Sequence, residues 1–179
     1  KHNIQVFKNT IEKYVAQLDK ALKNGYGLLF VGDNGVGKTF FISYILMEVI
    51  RLNRTAYYTT APQLEHNLKK GWRIAEIEKR LEWFLTSDFV AIDELGKEVE
   101  EKKTDSFMVN QIERIMKQRC DDNLPMLIAS NKSFRDLKQT YGTTFGSLII
   151  GKFQIVNMES GDYRKELAKK MQIDMEYNK

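Results

Sequence analysis

Cysteine, histidine and proline are all scarce in this chain, and no apolar run in it approaches the length of a membrane span. The lone cysteine, Cys120, excludes an internal disulfide, and with only two histidines beside it an ordinary closed zinc site is excluded as well. Any metal is therefore expected on oxygen ligands. Two prolines and no low-complexity tract leave no obvious linker, so one globular domain over residues 1–179 is expected. Apolar runs well short of the roughly 20 residues that cross a bilayer, and a charged first segment, predict no membrane partner and a cytoplasmic address. The chain opens on lysine instead of methionine, which leaves room for an additional N-terminal partner-binding domain outside it. Present instead are enough hydrophobic residues (42%) for a substantial core and a net charge of +4, compatible with a polyanionic partner without demanding one.

Between Phe7 and Asn24 the apolar residues Ile11, Tyr14, Val15, Leu18 and Leu22 recur at steps of three or four, which predicts one helix with a buried stripe, stopped by Gly25 and Gly27. Short apolar runs follow at Leu28–Val31, Ala56–Thr59, Phe89–Ile92, Met126–Ala129 and Gln154–Asn157. Most lack polar alternation, as strands buried on both faces do. Helical patterns lie between them at Thr39–Arg51, Pro62–Lys70, Ile74–Leu85, Thr104–Arg119 and Ser133–Tyr141. This alternation predicts a parallel α/β sheet. The charged run Lys97–Lys103 reads as a solvated loop.

The stretch Gly32, Asp33, Asn34, Gly35, Val36, Gly37, Lys38, Thr39 fits G-x-x-x-x-G-K-[ST], after a predicted strand and before a predicted helix. The glycines let successive N–H groups point inward at phosphate oxygens beside a helix N-terminus. Lys38 is then expected on the β- and γ-phosphates and the Thr39 hydroxyl on Mg²⁺, with Phe40 the next residue in the nucleotide-binding run. In "FVAIDELG" a buried strand ends in two adjacent carboxylates, costly to bury unless used. Beside a magnesium triphosphate, Asp93 can hold the hydrated ion and Glu94 can orient and polarise a water. A water-positioning glutamate suits hydrolysis better than transfer to a small acceptor, which favours an NTPase using ATP/ADP and Mg²⁺. In "PMLIASNKS", Asn131 follows another strand on the same sheet edge, where it can bridge the γ-phosphate and the attacking water or simply occupy a turn.

Taken in order, "GDNGVGKT", "AIDELG", "IASN" and "SGDYRKEL" give the chain a resemblance to the AAA+ ATPases. Within them it is similar to the DnaC/DnaI-type bacterial and phage helicase loaders, with the IstB transposition helpers close by. The resemblance implies a P-loop NTPase three-layer sandwich on a five-stranded parallel sheet in the order 5-1-4-3-2, the lid domain reduced or absent. It implies a sensor role for Asn131 and another for Arg164, although Arg164 lies among basic residues that also suit an exposed helix face. It also implies single-stranded DNA and a hexameric replicative helicase as partners, and self-association.

One element of the family pattern is missing. Residues 141–156, "YGTTFGSLIIGKFQIV", hold no arginine to serve as a finger toward a neighbour's ATP; the nearest cation is Lys152, a point charge without the planar fork. Slow unaided hydrolysis is the expectation, with Arg135 or Arg119 as substitutes. For DNA, Lys69, Lys70 and Arg73 stand near Trp72 and Trp83, a cationic and aromatic mixture suited to single strands, while Ile74, Ile77, Leu81 and Phe84 at helical spacing belong to the core. The readings carried forward are an ATP-hydrolysing helicase loader, a nucleotide-gated adaptor or inhibitor of a replication protein, and a transposition helper. A small-molecule kinase is the remote fourth.

Overall fold

The computed structural model describes residues 2–70, 75–97 and 106–158. Arg73, Trp72, Arg164 and most of the charged run after Lys97 lie outside the described residues. The first predicted helix is in fact two, α1 (His2–Val15) and α2 (Leu18–Asn24). Gln17, at φ −124°, leaves the helical region and its N–H donates to Tyr14 O at 3.0 Å, tightening the last turn of α1. Broken there, the chain brings Phe7 and Ile11 of α1 and Leu18 and Ala21 of α2 onto one core. Gly25, at φ +69°, ends α2 in the left-handed conformation, as its position predicts.

The rest alternates as expected: β1 (Gly27–Val31), α3 (Lys38–Arg51), β2 (Ala56–Thr60), α4 (Ala61–Lys70), α5 (Ala75–Thr86), β3 (Phe89–Asp93), α6 (Ser106–Asp121), β4 (Met126–Ser130), α7 (Phe134–Lys152) and β5 (Phe153–Asn157). All five strands run parallel in the order β2-β3-β4-β1-β5, the order that the resemblance implies. The three central strands are buried along their whole length, which is why they read as unbroken apolar runs, whereas β2 and β5 are half-open edges.

Side chains alternate between two cores, one on each face of the sheet. Leu28, Phe30, Ala91 and Leu127 pack under α1, α2 and α3; Leu29, Val31, Ile92 and Ile128 pack under α4 to α7. The result is a three-layer α/β sandwich. Because β1 pairs with β4 and β5 while its own crossover helix α3 leads to β2 at the far edge, the connections diverge beside β1. That divergence opens a crevice at the carboxyl ends of the strands.

Helix α7 runs to Lys152, well past the predicted end at Tyr141. Gly142, at φ +91° and ψ −176°, is non-helical and joins two helical pieces across a kink. The second piece carries threonines, isoleucines and further glycines, poor helix formers whose pattern hides it. Burial of Phe145 and Ile149 in the core below holds it in place.

Candidate functional site

Strand β1 ends at Val31, and the chain then turns through Gly32, Gly35 and Gly37 at φ +152°, +84° and +98°. A side chain at Gly32 would put its Cβ 2.3 Å from Met158 O, just after β5, so this position admits glycine alone. Gly37 caps α3 without any side-chain hydrogen bond, and no acid stands in the first turn. The amino end of α3 thus borders the crevice with no side-chain cap of its own, an arrangement suited to an anion.

Lys38 is buried, 8% exposed, and its Nζ donates to Gly32 O and Asp33 O, both at 2.7 Å. The loop thereby holds its own cation across the turn. Next to it Thr39 Oγ1 donates to Asp93 Oδ2 at 2.6 Å, joining the start of α3 to the end of β3 across 54 residues of sequence. Asp93 is buried and fully engaged: Tyr58 OH also donates to Oδ2, at 3.1 Å, and the Glu94 N–H donates to Oδ1 at 2.7 Å. Burial, followed by the charges of Asp93 and Glu94, pushes the Tyr58 phenol up to about 12, so it is a protonated donor throughout the neutral range.

Glu94 sits at φ +61°, a left-handed conformation uncommon outside glycine. Its carboxylate accepts from Lys97 Nζ at 2.5 Å. The turn that carries it is stitched to β4, because Leu95 N–H donates to Ala129 O at 2.8 Å and the buried Ser130 Oγ donates to Leu95 O at 2.6 Å. At the end of β4, Asn131 Nδ2 donates to Asn34 Oδ1 at 2.8 Å, bridging back to the glycine turn.

Asn34, Lys38, Thr39, Phe40, Asp93, Glu94 and Asn131 therefore border one cleft, of about 640 Å³. Asp33 is exposed and joins only through its carbonyl. The opposite wall was not legible in the sequence: Phe7 and Ile11 of α1 face it, together with Phe41 and Tyr44 of α3. No local pattern announces that wall, since only the tertiary packing of α1 on α3 creates it. Tyr58 was missed for the same reason, and Lys97 because it opens a charged run read as a loop. Lys69 and Lys70 occupy the last turn of α4; Lys69 pairs with Glu65, and neither lysine borders the described part of the cleft. Phe84 is core as expected, while Trp83 is exposed.

The expected substitute arginines divide. Arg135 is exposed near the start of α7. Arg119 is wholly buried and cannot reach a neighbouring molecule. Its Nη1 donates to Phe84 O and Leu85 O at 3.0 and 2.9 Å, and its Nη2 to Ser87 O, Pro125 O and Asp88 O at 2.9, 3.1 and 3.5 Å. Lys152 is likewise engaged away from the cleft, with Asn24 O at 2.8 Å and Asn123 Oδ1 at 2.9 Å. Among the described residues no helix is long and apolar enough to cross a membrane.

The pattern of the family described as IstB-like ATP binding protein matches residues 8–170. The ATP-binding protein of insertion sequence IS5376 from Geobacillus stearothermophilus is 28% identical over 155 residues, 82% of this chain and 60% of that protein. The replicative helicase loader DnaI of Bacillus subtilis is 26% identical over 117 residues, 65% of this chain and 37% of that one. The chain thus spans less than two thirds of the length of either curated relative. Among solved structures, the DnaC helicase loader superposes with a TM-score of 0.70 at 23% identity, covering 84% of this chain and 86% of that one. AMPPCP-bound DnaA from Aquifex aeolicus superposes with a TM-score of 0.68 at 15% identity, covering 96% of this chain and 52% of that one. At these identities the structural likeness speaks for the AAA+ P-loop fold.

Proposed function

The chain belongs to the IstB-like ATP-binding family, and we propose that it binds and hydrolyses magnesium ATP in the crevice and uses it to help place a hexameric replicative helicase on single-stranded DNA. The observation that carries the nucleotide reading is the Thr39–Asp93 hydrogen bond beside a glycine turn that caps α3 without a side-chain hydrogen bond. The residues present fit the group: the turn offers donors to phosphate oxygens, and a hydroxyl and a buried carboxylate offer oxygen ligands for a hard cation. When bound, the metal would neutralise charge developing on the phosphates. Lys38 would exchange its two carbonyl partners for phosphate oxygens, and Thr39 and Asp93 would hold the cation. Phe40 and the rest of the turn line the phosphate tail, while Phe7, Ile11, Phe41 and Tyr44 shelter the less polar end from water.

Glu94 is the water-orienting base and Asn131 the bridge between water and γ-phosphate. Both are held by other groups, Glu94 by Lys97 and Asn131 by Asn34, so hydrolysis requires these bonds to open. With Arg119 removed as a finger, unaided turnover is slow; a finger supplied by a neighbour is worth roughly 10³ to 10⁵ in rate. Arg164, in the sensor role, and Lys69, Lys70 and Arg73, as DNA contacts, complete the reading as proposals.

Support for loading comes from the DnaI relative and the likeness to DnaC. A transposition-helper role finds support in the IS5376 relative, which matches more of the chain. The Glu94–Lys97 pair is exposed on both sides and opens at little cost, so it leaves a gated adaptor with little turnover as the alternative that only a rate measurement separates. Phosphate release measured alone, with single-stranded DNA, and with DNA plus a hexameric helicase or a transposase separates these readings. Stimulation by DNA with the helicase supports loading, stimulation by the transposase supports the helper, and no stimulation leaves the adaptor. Glu94→Gln is expected to preserve ATP binding and lower the stimulated rate by about 10²- to 10⁴-fold. An unchanged rate would remove Glu94 from its role.

A further inference from the structure

The two tyrosines of "AYYTT" in β2 have opposite surroundings. Tyr57 packs against the α4–α7 core, its ring 5.7 Å edge-on to Phe84. Tyr58 projects to the other face and is 44% exposed, because β2 is an edge strand. In the β2–β3 register Tyr58 lies opposite Ala91 and Thr60 opposite Asp93. Tyr58 and Asp93 are therefore diagonal neighbours on one face, a separation that an aromatic side chain can span. Its hydroxyl reaches Asp93 Oδ2, the same oxygen that accepts the Thr39 hydroxyl.

We propose that Tyr58 is a positioning residue that fixes the Asp93 carboxylate for metal binding. The inference rests on the reading of Asp93 as a metal-holding carboxylate. A carboxylate turns easily about its terminal torsion, which has broad wells. The Thr39 hydroxyl has a single proton, and its lone pairs are the part that would face a cation. One such donor on Oδ2 pins one direction only. The Tyr58 hydroxyl approaches the same oxygen from the neighbouring strand, and the Glu94 N–H fixes Oδ1, so three donors from three chain segments define the carboxylate plane. A phenylalanine at position 58 would keep the ring and lose only the donor. Among the described residues, Tyr58 is thus a part of the metal site that lies beyond the motifs around it.

The test compares ATP affinity by calorimetry in excess Mg²⁺ and in EDTA for the unaltered chain, Tyr58→Phe and Asp93→Asn. The ratio of the two affinities reports the metal's contribution and needs no turnover. Tyr58→Phe is expected to lower that ratio by about three- to tenfold, the net worth of one ordinary hydrogen bond, since the Thr39 and Glu94 donors remain, with the EDTA affinity and the melting temperature unchanged. Asp93→Asn is expected to abolish the ratio. A Tyr58→Phe ratio equal to the unaltered one, while Asp93→Asn loses it, overturns the role of Tyr58 and leaves the metal reading standing. A Tyr58→Phe chain that melts earlier with its ratio intact also overturns it, because a packing role alone does that. If Asp93→Asn keeps the ratio, Asp93 holds no metal and the proposal falls with it.

Discussion

The two ends of the sheet treat buried polar groups in opposite ways. At the carboxyl ends of the strands, Lys38, Thr39, Asp93 and Asn131 hold one another or their own loop at the border of an open cleft. At the amino ends of β3 and β4, Arg119 is committed. Its guanidinium collects carbonyls from the end of α5, the turn before β3 and the residue before β4, with no exposure to water. Burial lowers its pKa to about 10, against the raising charges of Cys120, Asp122 and Asp88, so it remains a cation at neutral pH, although among the described residues no carboxylate hydrogen-bonds to it. The carbonyls at a helix C-terminus carry partial negative charge, which helps a cation settle there. One end keeps its polar groups at an open cleft and the other seals them in.

The hardest test of that contrast is Arg119→Met. It orphans several carbonyls at once and is expected to cost about 3–5 kcal/mol, lowering the melting temperature by about 10 °C, with ATP affinity intact below the transition. Lost nucleotide binding in the still-folded variant would show that the two ends are not independent. Lys38→Ala is the mirror experiment. ATP affinity should fall by about a hundredfold, roughly 3 kcal/mol, with the melting temperature of nucleotide-free protein little changed. A large loss of stability would mean that Lys38 serves the fold more than the ligand. The smallest expected effect belongs to Gly142→Ala. No neighbour lies within 4 Å of the added Cβ, so the backbone conformation at φ +91° and ψ −176° alone is strained, at about 1–3 kcal/mol by thermal denaturation. Stability unchanged there would mean that the kink relaxes into a continuous helix.

Much of the fold was legible because its central strands are buried on both faces and must therefore be written as unbroken apolar runs. Lys38, Thr39, Asp93 and Asn131 were legible as candidates because a glycine turn, a strand-end acid pair and a strand-end amide are local patterns. Their convergence required the sheet order, which came through a family resemblance and not through periodicity. The break between α1 and α2 was hidden, since the apolar spacing runs through Gln17 without interruption. The second half of α7 was hidden by its own poor helix formers. Tyr58 and the α1 wall were invisible for a common reason: each matters through a contact that the chain makes only once folded, whereas Lys97, three residues from Glu94, was hidden inside a charged run read as a loop. Arg119 was misjudged because an arginine in a helix reads as surface, and nothing local shows the carbonyls that will surround it.

The first helix forms a wall of the cleft through Phe7 and Ile11, so the breadth of the cleft depends on how α1 sits on α3. Force on α1 would reach the cleft through those two side chains. A load applied there would loosen the apolar contacts while leaving the glycine cradle undisturbed.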